Sequence, residues 1–248
     1  MIRLLWLEFF KNKRRKFFIG LIVLIIVQML WLFITMKKVQ LMGVKTFNFD
    51  INYLLVMLSL LNATFGPIII SIFSVKVLEV DKQNRMISIL KINFEDYKLL
   101  YNIKILYGII IIMLYVLFQM MEAFIMIKYF NITNNLFLFM QEFLGLTIGM
   151  ISVYIIFISL TFLMNKTNLI ICLGLLSSFI SLMTASLLPS NMIRVIPTMY
   201  LSIVNPLQIT NSKIILNSNF MSNLFFISTI TFIVWIISEK LIIRKKLV

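Results

Sequence analysis

Long apolar runs separated by short polar segments set the pattern of the chain. A transmembrane α-helix needs roughly 20 mostly apolar residues to cross the hydrocarbon core of a bilayer. The runs that meet this requirement are residues 17–36, 51–75, 105–127, 143–164, 168–188 and 220–238. The pattern predicts an all-α integral membrane protein with six transmembrane helices, in which residues 1–248 form a single domain.

Composition agrees with this class. Of the 248 residues, 61% are hydrophobic and 13% are charged, whereas apolar residues make up roughly half of an ordinary soluble domain. The net charge of +14 does not indicate a nucleic-acid-binding protein, because the basic residues form short clusters beside the apolar runs and no soluble domain is predicted that could present a basic face. We therefore expect the lipid bilayer, and no nucleic acid, as a partner.

The distribution of basic residues predicts the orientation. Most of the 23 lysine and arginine residues fall on the side of the N-terminus when the six runs are threaded through a membrane, and cytoplasmic loops are the richer in these residues. Both termini and residues 76–104 are thus predicted to be cytoplasmic. The first run is predicted to be a retained signal anchor, because residues 35–38 offer no cleavage site. Richness in Ile, Lys, Asn and Phe is typical of a low-GC bacterium, so the expected location is a bacterial cell membrane.

Residues 1–16 have the pattern of an amphipathic helix. Ile2, Leu5, Trp6 and Phe9 share one helical face, and a basic cluster follows them. Such a helix can lie in the headgroup plane, with its aromatic rings buried and its basic residues facing anionic lipid. We predict an interfacial helix here, and a basic anchor with no further role is the alternative.

Residues 76–104 form the long charged segment between two apolar runs. An apolar stripe at residues 86–90 lies within it, and Asn93, followed by Asp96, has the pattern of a helix N-cap with an acidic residue in the first turn. These features predict a short helix parallel to the membrane, a break near Asn93, and a second helix that enters the third span. A short apolar stripe facing the cytoplasm suits a groove on another protein. A solvated loop whose apolar residues rest on the lipid interface is the alternative.

Glycine and proline mark three other places in the predicted spans and their connections. Gly66 and Pro67 lie within the second span and predict a kink, which is a candidate hinge. Gly145 and Gly149 form a G-x-x-x-G pattern that allows another helix to approach closely. Residues 189–219 are too apolar for a solvated loop and are interrupted by prolines, so they predict one or two short extracellular or re-entrant helices.

Several kinds of chemistry have no residues to support them. No glycine lies in a G-x-x-x-x-G-K-[ST] pattern that would bind nucleotide phosphates. With no histidine in the chain, a H-E-x-x-H zinc site and a histidine-activated serine are both excluded. Glu122 lies near the outer end of the third span, where it is expected to be a hydrated anchor. The absence of a central carboxylate argues against a secondary transporter. We predict a protein that is not an enzyme and that binds no cofactor or metal ion itself.

The arrangement resembles the permease subunits of ABC-2 type exporters. The start of the chain, residues 5–15, looks like that of the lantibiotic (bacteriocin) immunity permeases within this class. The charged segment is similar to the family's coupling helix, although the glycine often found there is missing at residues 83–85. By this resemblance, the residues that couple to an ATPase are Glu79, Arg85, Met86, Ile89, Leu90 and Asn93, with Lys104 at the start of the third span. The residues that fit the family's outer hairpin are Pro197, Asn205 and Pro206.

The resemblance implies partners and a function. A separate cytoplasmic ATPase would bind ATP and Mg²⁺ and dock on residues 76–104, and a second similar or identical permease subunit would complete the pore. The implied activity is export of an amphipathic antimicrobial peptide, which gives the cell immunity to it. Two alternatives stay open: export of another hydrophobic substrate such as a drug or a lipid-linked molecule, and sequestration of the peptide without ATP.

Overall fold

The structure, a computed structural model, describes residues 2–13, 17–42, 50–83, 94–133, 135–164, 166–184, 196–210 and 213–244. The helices in these parts are α1 (Ile2–Lys13), α2 (Phe17–Met42), α3 (Ile51–Gln83), α4 (Phe94–Tyr129), α5 (Leu136–Leu163), α6 (Thr167–Thr184), α7 (Tyr200–Ile203) and α8 (Phe220–Arg244). A 3₁₀ turn, Pro197–Met199, precedes α7, and the strands β1 (Leu207–Thr210) and β2 (Lys213–Leu216) follow it.

Five of these helices are long and apolar enough to cross a membrane. The apolar stretches are Ile22–Leu41, Ile51–Glu79, Lys98–Tyr129, Leu136–Leu163 and Phe220–Ile242. They coincide with five of the six predicted spans, so the chain is a multi-pass, mainly helical membrane protein. The remaining predicted span, residues 168–188, corresponds to α6, which has 18 residues and is described only as far as Thr184.

Helices α3 and α4 extend furthest beyond the apolar runs that predicted them. Helix α3 has 33 residues and α4 has 36, which correspond to about 50 and 54 Å at 1.5 Å per residue, against a hydrocarbon core of about 30 Å. Their charged ends thus extend beyond the apolar layer. Much of the predicted charged segment is therefore helical, and residues 84–93 between the two helices lie outside the described part.

Helix α5 lies at the centre of the bundle. It packs against α3, α4, α6, α7 and α8, and Asn135 caps its start by accepting a hydrogen bond from the Leu138 amide at 3.4 Å. Tyr154 of α5 is fully buried, where its ring stacks on that of Phe73 and lies against Gly108 of α4. Helix α5 therefore contacts five other helices of the described part.

The connection between α6 and α8 differs from the purely helical prediction. The short helices are present as the 3₁₀ turn and α7, but an antiparallel β-hairpin follows them, with Leu207 opposite Leu216 and Thr210 opposite Lys213. The amide of Asn217 donates to the carbonyl of Pro206 at 2.8 Å and closes the hairpin. We call this side of the bundle the hairpin end. The opposite side, where α1 lies, is the α1 end.

Candidate functional site: a buried charge cluster beside the charged segment

Helix α1 is amphipathic, but its charged face points into the protein. Glu8 and Asn12 are buried, whereas Trp6 is 63% and Leu7 is 52% exposed. In water this arrangement would be unfavourable, since apolar side chains would face solvent and a carboxylate would be desolvated. It becomes reasonable when the exposed apolar face lies in lipid, which is how an interfacial helix is oriented.

The charged face of α1 meets the ends of α3 and α4 in a cluster of four ionisable groups. Lys104 of α4 lies at its centre with 0% of its surface exposed. Its Nζ is 2.5 Å from Glu8 Oε2 and 2.5 Å from Asp81 Oδ2, and it donates a hydrogen bond to the carbonyl of Val77 at 2.9 Å. One ammonium thus joins three helices.

Lys11 completes the cluster from the α1 side. Its Nζ lies 3.1 Å from Glu8 Oε1 and 3.0 Å from Asp81 Oδ1. Burial lowers the pKa of Lys11, but the two carboxylates raise it by more, so its pKa lies above the ordinary lysine value. Each carboxylate contacts both ammonium groups, and two positive and two negative charges balance. We call Glu8, Lys11, Asp81 and Lys104 the charge cluster.

Neighbouring contacts hold the charge cluster in place. The Asn12 side chain donates to the carbonyl of Glu8 at 3.0 Å. The hydroxyl of Tyr154 donates to the carbonyl of Lys104 at 2.8 Å, which links the cluster to α5. Phe9 packs edge-on against Tyr107, with ring centroids 5.0 Å apart. These contacts bury Glu8, Asp81 and Lys104 in protein, whereas the Lys11 side chain is 27% exposed. Solvent therefore screens the ion pairs of Lys104 less than those of Lys11.

The first turns of α4 are also joined to α8. Lys98 forms an ion pair of 2.8 Å with Glu239, and Asn102 accepts a hydrogen bond from the indole of Trp235 at 3.1 Å. The hydroxyls of Tyr101 and Ser159 are hydrogen-bonded at 2.8 Å, which adds a contact to α5. The start of α4 therefore contacts α1, α3, α5 and α8.

The predicted coupling residues lie mostly outside the described residues. These are Arg85, Met86, Ile89, Leu90 and Asn93. Glu79 is described, is half-buried, and pairs with Lys76 one turn earlier at 2.6 Å. The charge cluster flanks the undescribed residues 84–93 on both sides, since Asp81 precedes them and Lys104 follows them.

The candidate hinge lies within a continuous helix. Pro67 is inside α3, and the nearby carbonyl of Thr64 accepts a hydrogen bond from the Ser178 hydroxyl of α6. Gly66 faces α7, where a Cβ atom would come 2.7 Å from the Leu201 side chain. In this structure the Gly66-Pro67 position is therefore a packing contact with α6 and α7.

The two glycines of the G-x-x-x-G pattern also pack closely against α7 and the residue that follows it. A Cβ atom on Gly145 would collide with the carbonyl oxygen of Val204, and one on Gly149 would come 3.1 Å from Leu201. The helix that approaches closely is thus a short one next to the hairpin, whereas the sequence pattern suggested an ordinary helix pair.

The predicted outer-hairpin residues shape the connection at the hairpin end. Pro197 begins the 3₁₀ turn and is exposed. The Asn205 side chain accepts a hydrogen bond from the Leu207 amide at 2.8 Å, and Pro206 is buried at the entry to β1. Asparagine and proline thus set the turn from α7 into the hairpin.

The charge cluster was not predicted from the sequence, and neither was the burial of two carboxyl groups, Glu122 and Glu142. Glu8 is an isolated acidic residue within a basic, apolar segment, which was the available signal for a buried partner. Glu142 was placed before the fourth span, but α5 begins at Leu136 and Glu142 is 1% exposed. Glu122, predicted to be hydrated, is 9% exposed.

A second polar group lies inside the bundle toward the hairpin end. The side chains of Asn62 and Gln119 exchange two hydrogen bonds, of 3.1 and 2.8 Å. Gln28 of α2 accepts hydrogen bonds from Gln119 at 2.9 Å and from the Tyr115 hydroxyl at 2.6 Å. These contacts join α2, α3 and α4 through uncharged groups.

Among the described residues no group of three or more acidic, histidine or cysteine side chains is placed to hold a metal ion. Comparison with known proteins finds no matching family model, no similar curated protein and no similar solved structure. The charge cluster, which flanks residues 84–93 in the sequence, is therefore the feature of the described residues that bears most directly on function.

Proposed function

We propose that the chain is the membrane-spanning permease subunit of an ABC exporter of the ABC-2 type. In this proposal six helices span a bacterial cell membrane, with α6 as the fifth, and both termini are cytoplasmic. A separate ATPase subunit, which holds ATP and Mg²⁺, docks on residues 76–104. The observation that carries the proposal is the charge cluster, because it joins the two helices on either side of residues 84–93 to α1.

The charge cluster supports transmission of a movement from the docking segment. Removing one partner from a buried ion pair leaves an uncompensated charge and costs about 3–5 kcal/mol. Separating α3 from α4 at Asp81 and Lys104 would carry a cost of this kind. A force applied to residues 84–93 would therefore move the ends of α3, α4 and α1 together, and α5 and α8 would follow through Tyr101 and Lys98.

A cleft at the hairpin end supports an amphipathic cargo. Its volume is about 740 Å³, and both polar and apolar residues line it, among them Asp50, Asn52, Phe137 and Ile214. Ligand sites commonly have volumes of about 300–1,000 Å³. In the proposal this cleft lies on the outer side, where an antimicrobial peptide would leave the protein. Assignment to the lantibiotic immunity group follows from the N-terminal segment.

The test is reconstitution of the chain with its ATPase in proteoliposomes. The triple variant M86A/I89A/L90A is expected to lose ATPase binding, stimulated ATP hydrolysis and ATP-dependent removal of peptide from the membrane. The variant L182A/M183A/F179A is a matched control, because it truncates three large apolar side chains that are exposed on α6. Binding and peptide removal that survive in the triple docking variant would refute the proposed coupling site.

Two further measurements separate the alternatives. Peptide resistance that persists in cells without the ATPase would favour sequestration of the peptide over export. Transport of a hydrophobic dye, but not of an amphipathic peptide, would support a permease that exports a different class of substrate.

A further inference from the structure

Glu142 is a buried carboxyl group for which the proposed function has no use. It lies six residues into α5, a membrane-spanning helix, and is 1% exposed. One oxygen accepts a hydrogen bond from the Ser59 hydroxyl of α3. Its other oxygen, Oε2, has no hydrogen-bond partner among the described residues.

No basic side chain of the described part forms an ion pair with Glu142. The helices that pack on α5 are α3, α4, α6, α7 and α8. No lysine or arginine occurs in residues 46–75, 105–127, 129–165, 167–193 or 214–239. The titratable groups at or toward the hairpin end of these helices are Asp50, directly before α3, Tyr53 of α3, Tyr115, Glu122, Lys128 and Tyr129 of α4, and Tyr200 of α7. Lys128 lies over the ring of Phe124, 4.8 Å from its centroid.

The surroundings of Glu142 differ from those of the two carboxylates in the charge cluster. Glu8 and Asp81 are equally buried, and each contacts two ammonium groups. Glu142 has one neutral hydroxyl. An isolated carboxylate in a water-free interior carries a desolvation cost of several kcal/mol even after relaxation, whereas a carboxylic acid does not.

We propose that Glu142 and Ser59 form a proton-binding site inside the membrane bundle. In the arrangement of this structure, where Glu142 is buried, the carboxyl group holds a proton taken from solvent, and the Ser59 hydroxyl donates to the oxygen that faces α3. Release of the proton requires that water or a cationic group reach Glu142. The ligand is thus a single proton, and its release places a negative charge at the hairpin end of the bundle.

The proton-binding site lies close to the polar group around Gln119 and to the cleft at the hairpin end, so a change in its charge would affect both. Ser59 is one helical turn from Asn62, which is hydrogen-bonded to Gln119. Leu138, one turn before Glu142 on α5, lines the cleft at the hairpin end. An opening of the cleft along α5 would therefore bring water toward Glu142, and Asn62 of the polar group lies one turn from Ser59 on α3.

Infrared spectroscopy of the purified full-length protein in lipid nanodiscs tests the proposal at neutral pH. The difference spectrum of wild type minus E142Q is expected to contain the C=O stretching band of a protonated carboxylic acid. The matched control E8Q removes a buried carboxylate with two ammonium partners. Apart from the amide bands that both glutamine variants add, its difference spectrum is expected to show carboxylate bands and no acid band. The variant S59A is expected to keep the acid band and to shift it to higher frequency, because one hydrogen bond to the group is lost.

These infrared measurements test the proposed proton-binding site in the absence of the ATPase. A carboxylate band in place of the acid band for Glu142 would overturn the proposal. If E142Q fails to fold, the S59A spectrum answers the same question, since an acid band that does not respond to loss of Ser59 would also overturn it. The proposed export function could fail while the acid band is present, so the two proposals are tested separately.

Discussion

Replacing Lys104 by methionine is the sharpest perturbation of the charge cluster. Methionine is similar in length and apolar, so it fills the space but leaves Glu8 and Asp81 with Lys11 as their remaining cation. It also leaves the Val77 carbonyl without the hydrogen bond of 2.9 Å that Lys104 donates. Three polar groups thus lose a partner in a site where Lys104 itself is 0% exposed.

The expected cost is large relative to the stability of a domain. Breaking a buried ion pair by removing one partner costs about 3–5 kcal/mol, against a total free energy of unfolding of about 5–15 kcal/mol. The matched control is K76M, which removes another lysine that pairs with a carboxylate. The Lys76 side chain is 53% exposed, so its loss is expected to cost no more than about 1 kcal/mol.

Thermal unfolding of the purified protein in detergent micelles, followed by circular dichroism, measures the difference between these variants. The double variant E8Q/K104M is expected to be more stable than the sum of its single variants implies, because one carboxylate and one ammonium leave together and Lys11 still pairs with Asp81. A K104M protein that unfolds at the same temperature as K76M would refute the electrostatic reasoning, as would strict additivity in the double variant.

Two further predictions follow from the packing and from Lys11. G108A should lower the free energy of unfolding by about 1–3 kcal/mol, because the added methyl group would collide with the ring of Tyr154. The control G20A, at a glycine with open space around it, should be neutral or stabilising by up to about 1 kcal/mol. Equal unfolding temperatures for the two variants would contradict the close packing at Gly108. Because the pKa of Lys11 is raised in the folded protein, its stabilisation is present below the unfolded pKa and is lost as pH rises through the folded value. The difference in melting temperature between wild type and K11M should therefore shrink at strongly alkaline pH, and a difference that grows with pH would contradict the assignment.

The spans show how far hydrophobic pattern alone can predict this fold. Five of the apolar runs overlap helices that are long and apolar enough to cross a membrane, as expected if each run must satisfy its own backbone hydrogen bonds in lipid. The pattern was less accurate at helix ends. Charged residues such as Lys76 and Glu142 limit an apolar run without ending a helix, so α3 and α5 extend past the predicted limits.

The connection at the hairpin end illustrates a second limit. Its prolines and apolar residues predicted short helices, and the 3₁₀ turn and α7 are present. Strands β1 and β2 were not predicted, because the preference for a strand depends more on packing against a neighbouring strand than on the local sequence. The glycines Gly145 and Gly149 likewise indicated a close approach, but only the assembled structure identifies α7 as the element that approaches.

The charged segment at residues 76–104 determined much of the functional prediction from sequence alone. Its charges and its apolar stripe are properties of the chain, and they led to the proposal that another protein docks on this segment. The tertiary structure decided which charges are surface charges and which are buried. Glu79 pairs locally with Lys76, whereas Asp81, two residues later, is buried with Lys104 and Glu8. These three residues are far apart in the sequence, and an ion pair between them exists only after the helices pack, because the free energy of a buried charge depends on the groups around it.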